Sequence, residues 1–192
     1  MPAVAEPMLR VPEFVPTPPR FRWDQYEQMI ASGALNGLRT MFIHGELIQM
    51  AAMYEPRMTG ISLTLHELQK IFGTGFYIRV QGPLRQGNND PEPDLCVVPG
   101  GPKTYKKMPT SALLVVEVSD SSLRYDTTEK AEIYAAAGTP DYWVLDIEGR
   151  RLLVFRDPEA AGYRTQLTFA ETDSVAPLAM PSGSIRVADL LP

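Results

Sequence analysis

A mixed α+β (α/β) domain, a β-sheet flanked by helices, is the fold class this sequence predicts, and three observations carry that prediction. The run Ala112-Leu113-Leu114-Val115-Val116-Glu117-Val118-Ser119 is short, apolar and β-branched, the mark of a strand buried on both faces. A stretch with helical periodicity, residues 126–137, separates it from a second strand over 142–147, as in a crossover between neighbouring strands. Earlier in the chain, two more stretches repeat their apolar residues at helical spacing, so helices contribute to the packing from both sides of the sequence.

Taken in order, residues 1–20 carry Pro2, Pro7, Pro12, Pro16, Pro18 and Pro19, too many for regular structure, and read as an extended arm. Residues 21–192 then form one domain, with no internal repeat and no linker to divide them. Trp23, Tyr26, Met29 and Ile30 recur at helical spacing over 23–32, and Gly33 supplies the stop. Strands over 38–43 and 47–52 flank His44-Gly45-Glu46, a hairpin signal. A longer helix over 57–72 places Ile61, Leu65, Leu68 and Phe72 along one stripe. Residues 76–81 alternate as a strand, and a polar connection over 82–91 leads to the strand opened by Asp94. A loop with Gly100, Gly101 and the basic residues Lys103, Lys106 and Lys107 precedes the central strand. After the crossover come strands over 152–155 and 163–169 and a short terminal element over 185–191.

Composition narrows the function. The net charge of −5 and pI near 5.1 exclude a surface that is basic all over, so nucleic-acid binding needs a local positive patch, a bound cation or a second subunit. Cys96 is the single cysteine, which excludes an internal disulfide and fits a reducing compartment. No run approaches the ~18–20 apolar residues of a membrane span, and the N-terminus has no signal-peptide pattern. A cytoplasmic protein is expected.

Chemistry concentrates around the central strand. Glu117 alternates onto the face of Val115 and Leu113, and a carboxylate buried there needs a partner or a metal ion. Asp94 follows a proline and starts the neighbouring apolar run, so the two form a candidate pair of hard oxygen ligands suited to Mg²⁺ or Mn²⁺. The Val118 carbonyl is a further candidate ligand. Lys130 shares a helix face with Ile133, Tyr134 and Ala137, the face expected to pack on the sheet, and there it either snorkels outward or meets a carboxylate. A purely structural Glu117–Lys130 ion pair answers the same pattern. Glu46, after the hairpin turn, is a third candidate carboxylate, against the simpler reading of a solvated strand end. His44 and His66 with one cysteine cannot make a typical zinc site. Gly100-Gly101-Pro102-Lys103-Thr104 lacks the spacing of a phosphate loop.

Pro93-Asp94, the block Glu117-Val118-Ser119-Asp120-Ser121-Ser122, then Asp126, Glu129-Lys130, Tyr134, Ala137-Gly138 and Tyr142-Trp143-Val144-Leu145-Asp146 resemble the Uma-two family of restriction-endonuclease-like proteins. That family is a branch of the PD-(D/E)XK nuclease superfamily, and His44-Gly45-Glu46-Leu47 looks like its early DGEL element, with His44 where the family usually has Asp. The resemblance covers residues 20–190. It implies a restriction-endonuclease-like core, a Mg²⁺ site held by Asp94 and Glu117 with Glu46 in support, and hydrolysis of DNA phosphodiester bonds. Ser119 stands two residues after Glu117, where the superfamily has lysine, and Lys130 on the following helix is the natural substitute. A homodimer is the assembly expected of an enzyme that cuts two strands. The alternative is a catalytically silent interaction module in which Glu117 and Lys130 are a structural pair.

Overall fold

β5 (Leu114–Ser119) is buried along its whole length because strands cover both its edges and helices or loops both its faces. In the computed structural model, which describes residues 17–50 and 53–192, it is the third strand of a six-stranded sheet ordered β3-β4-β5-β6-β7-β8. These are β3 (Phe76–Val80), β4 (Leu95–Pro99), β6 (Asp141–Asp146), β7 (Arg151–Glu159) and β8 (Gly162–Ala170). Only β5 and β6 run parallel; every other neighbouring pair is antiparallel. That one parallel pair requires a crossover, and α3 (Leu123–Thr127) and α4 (Glu129–Ala136) provide it.

The sheet separates two apolar layers. On one face α2 (Glu55–Phe72), through Ile61, Leu68 and Phe72, packs with the C-terminal segment onto Val97, Leu114, Val116 and Val118. On the other, Ala131 and Tyr134 of α4 cover Cys96, Val98, Val115 and Val144. Strand alternation sorts Val116 and Val118 to the first layer and Val115 and Glu117 to the second. Gly60 lets α2 settle closely: a Cβ there would stand 2.9 Å from Val118 Cγ1.

A separate hairpin, β1 (Thr40–Ile43) and β2 (Glu46–Gln49), lies over this second layer, with Met41 and Ile43 packed on Ile133. His44 and Gly45 take φ of 51° and 83°, the double left-handed geometry of a two-residue hairpin turn. α1 (Trp23–Ala31) supports the hairpin from behind: the Tyr26 and Phe42 rings stack at 4.4 Å, and the Tyr26 hydroxyl donates to buried Asp90 at 2.9 Å.

The expected continuous helix over 126–137 is two helices. The chain turns at Thr128 (φ −118°, ψ −89°), where the Thr127 and Thr128 hydroxyls donate to the carbonyls of Leu123 (2.7 Å) and Arg124 (2.6 Å). Side-chain hydroxyls that bond the backbone locally compete with the helix ladder. Ala137, expected on the packed face, is exposed, whereas Ala131 is buried. Of the proline-rich arm, residues 1–16 lie outside the described residues, and 17–20 are exposed without regular structure.

Gly60→Val should destabilise the fold by about 1–3 kcal/mol, because the added methyls meet Val118 on a strand that cannot retreat. Thermal unfolding checks this; an unchanged melting temperature would mean that α2 is not held at this distance.

Candidate active site

The antiparallel register that pairs Leu95 with Val116 places Asp94, one residue earlier, across from Glu117, one residue later. Both side chains project to the α4 face, and both are buried, Asp94 at 2 % and Glu117 at 0 % exposure. The structure therefore brings together the two carboxylates predicted as ligands. Lys130 joins them: its Nζ lies 2.8 Å from Glu117 Oε2 and 3.0 Å from Asp126 Oδ1. The Tyr134 hydroxyl donates to Glu117 Oε1 at 3.0 Å.

Asp94 is held by two other groups. The Val118 N–H donates to its Oδ2 at 2.8 Å, and Nη2 of Arg57, from the first turn of α2, lies 3.1 and 2.9 Å from its two oxygens. In an extended strand the N–H and C=O of a residue project to the same edge. The Val118 carbonyl thus faces the side on which Asp94 sits. Glu46 does not join the cluster. It pairs with Arg20 at 3.3 Å, is partly exposed, and is not among the residues lining the cleft described below.

Three members of the site carried little signal in the sequence. Asp126 is fully buried and accepts from the Ser122 hydroxyl; its spacing of four residues from Lys130 was the available clue. Arg57 reaches Asp94 across 37 positions, a contact that only the tertiary fold creates. Ser119, where the superfamily has lysine, is buried with its Oγ 3.4 Å from that of Ser122, at the entry to α3.

Charge balance sets the chemistry. Asp94, Glu117 and Asp126 are buried beside two cations, Arg57 and Lys130, which leaves an excess of negative charge if all ionise. Burial, opposed by Lys130 and reinforced by Asp126 and Asp94, leaves the Glu117 carboxyl pushed up to about 8. Burial would also strip the proton from Lys130, but Glu117 and Asp126 outweigh it and raise the ammonium above its ordinary value. Lys130 therefore stays charged and acts as a donor and counter-ion rather than a base.

The set fits a hard divalent cation in kind. Glu117 Oε2 and Asp126 Oδ1 are buried without a directed hydrogen bond, although the ammonium is close to both. With the Asp94 carboxylate and the Val118 carbonyl, the available donors are all oxygen. Among the described residues no group of three or more His, Cys, Asp or Glu side chains is gathered as a ready-made metal cage. Arg57 holds Asp94 in that arrangement, and a cation would have to take its place.

Asp94, Asp126, Lys130 and Arg57 open onto a cleft of about 290 Å³ between the hairpin and the sheet, with Glu117 buried behind Lys130. These four are among its lining residues, with Met41, Ile48, Met50 and Met53. The Lys103, Lys106, Lys107 loop lies elsewhere: β4 runs away from Asp94 and β5 returns towards Glu117, so the loop between them is at the opposite end of the strands.

Residues 23–188 match the model of the Uma2 family, described as "Putative restriction endonuclease". The chain belongs to this family. The fold of this Uma2 member is also similar to a crystal structure described as a "putative nuclease belonging to DUF820" from Anabaena variabilis ATCC 29413. The two share 13 % identity over 88 % of this chain and 97 % of the other, with a TM-score of 0.71. That likeness bears out the mixed α+β fold expected from the sequence, a six-stranded mixed sheet flanked by helices. No curated protein matches the chain. Among the described residues no helix is long and apolar enough to cross a membrane.

The raised Glu117 carboxyl gives a pH signature in chelator-treated protein. The folded state keeps this proton up to about pH 8, whereas a solvated glutamate releases it near 4.5, so stability falls as pH rises through that window. The limit of the slope is about 1.4 kcal/mol per pH unit. Glu117→Gln should remove most of the dependence in thermal unfolding from pH 5 to 8. A slope equal to that of wild type would place the titrating group elsewhere.

Proposed function

We propose that this chain is a divalent-metal-dependent endonuclease that hydrolyses DNA phosphodiester bonds at the Asp94–Glu117–Lys130 site. The observation that carries the reading is the juxtaposition of two buried carboxylates on adjacent central strands, Asp94 and Glu117, with Lys130 paired to Glu117, where Asp94 and Lys130 line an open cleft. Its family and fold support a nuclease.

Asp94, Glu117 and the Val118 carbonyl would hold Mg²⁺ or Mn²⁺. When bound, the ion supplies a water of lowered pKa and offsets charge on the phosphate. Lys130, kept cationic by Glu117 and Asp126, donates from Nζ to the attacking water or to a phosphate oxygen as charge develops. Tyr134 holds the Glu117 carboxylate in one orientation through its hydroxyl. Arg57, once released from Asp94, is a second donor for the phosphate, its Nε buried and without a partner. A two-fold homodimer belongs to this reading where both strands of a duplex are cut. Light scattering at micromolar concentration tests it, and a monomer would confine the enzyme to one strand at a time.

One observation favours the silent-module reading: Lys130 and Arg57 already pair with all three carboxylates. Two variants separate the readings. Mg²⁺ should raise the melting temperature of wild type by mass action and leave Asp94→Asn unmoved. Lys130→Met keeps the stem but leaves buried carboxylates unpaired, which costs about 3–5 kcal/mol without metal. With Mg²⁺ the loss should shrink, while metal-dependent cleavage falls about a hundredfold or more. A destabilised Lys130→Met that metal does not rescue, beside a wild type that cuts nothing, would overturn the nuclease reading.

A further inference from the structure

The nuclease chemistry uses only the charged groups of the cleft. The same cleft is also lined by Met41, Ile48 and Met50 of the hairpin and by Met53, apolar and deformable, beside groups that would handle a phosphate. Gln81 lines it too, and its backbone is unusual. It is not glycine, yet it stands at φ 48°. A side chain kept in the left-handed region is commonly one that the site needs. Its N–H donates to the Asp94 carbonyl at 3.0 Å, so it is fixed against the candidate metal ligand. Its carboxamide nitrogen contacts the Met53 sulfur, a weak acceptor that a better one readily replaces.

Resting on the nuclease reading above, we propose that this apolar lining with Gln81 is a nucleobase subsite, and that the substrate class is nucleic acid carrying an unpaired nucleotide rather than intact duplex. The base lies against the methionines, the Gln81 carboxamide meets its hydrogen-bonding edge, and the attached phosphate is directed to Arg57, Lys130 and the Asp94–Glu117 pair.

Three features support this occupant. The cleft of about 290 Å³ is at the small end of cavities that enclose a small organic ligand, and suits one nucleotide rather than a groove-filling helix. The acidic ligands are buried beneath the hairpin, whereas a stacked duplex keeps its bases inside and its phosphates on a stiff outer surface. A nucleotide must leave the stack to bring its base into such a cleft. Finally, a duplex footprint needs many phosphate contacts, but the Lys103, Lys106, Lys107 group is at the far end of β4 and β5, and the chain is acidic overall.

The test compares fluorescence anisotropy of a fluorescein-labelled dT12 strand with that of the same strand annealed to dA12, with Ca²⁺ in place of Mg²⁺. Wild type should bind the single strand at least tenfold more tightly. Gln81→Gly frees the backbone of its left-handed penalty, so its melting temperature should hold while single-strand affinity drops three- to tenfold. Met50→Glu, which puts a charge in the apolar lining, should lose more. Equal binding of strand and duplex, binding of neither, or single-strand affinity unchanged in both variants would overturn the subsite. Metal-dependent cleavage of a plasmid and of single-stranded DNA is scored separately. A chain that cuts duplex and ignores single strands overturns the subsite and leaves the nuclease reading standing. A chain that cuts neither overturns that reading itself.

Discussion

Carboxyl groups buried at the ends of two apolar strands are the constraint to which much of this structure answers. Asp94 and Glu117 sit where the sheet has no water to offer, so every neighbouring element must supply a donor or a charge. Val118 gives a backbone N–H, α4 gives Lys130 and Tyr134, α2 gives Arg57, and α3 places Asp126 beside the ammonium. Gly60 fits the same logic. It lets the first turns of α2 approach Val118 closely enough for Arg57, one turn earlier, to reach over the strand end. The turn at Thr128 does likewise for Lys130 and Asp126, which meet the same ammonium-centred cluster from two different helices.

Stability alone does not account for such a cluster. Well-packed apolar residues of similar volume often match or exceed a buried ion pair in stability. Here burial holds Glu117 up to about 8 despite the cation beside it, so near neutral pH its proton offsets the third carboxylate. On the nuclease reading, a divalent cation would take that proton's place.

The strands and the central pair were legible because their signals are local. β4, β5 and β6 announce themselves as apolar runs, and alternation alone put Glu117 and Val115 on one face. Lys130 was legible from helical spacing despite the turn at Thr128, because α4 begins at Glu129 and carries Lys130, Ile133 and Tyr134 together. The turn itself was hidden, since threonine hydroxyls that bond backward are compatible with a helix until the tertiary packing decides. Glu46 misled for the opposite reason: an acid after a hairpin turn looks the same whether it faces a metal or, as here, Arg20. Arg57 left no trace, because nothing in an arginine on the first turn of a helix points to an aspartate 37 residues away.

On the nuclease reading, Arg57 would let the same aspartate serve two states. An uncompensated carboxylate with Asp94's burial would destabilise the fold, and the guanidinium prevents that by contacting both oxygens. On the nuclease reading, a divalent ion competes with Arg57 for Asp94, so the clamp that secures the fold also weakens metal binding. The released guanidinium remains in the cleft beside the place a phosphate would occupy, and its buried Nε gains a partner only when an acceptor arrives. Substrate and cation would then favour one another's binding through a single side chain: the cation frees the arginine, and the phosphate keeps it from returning to Asp94.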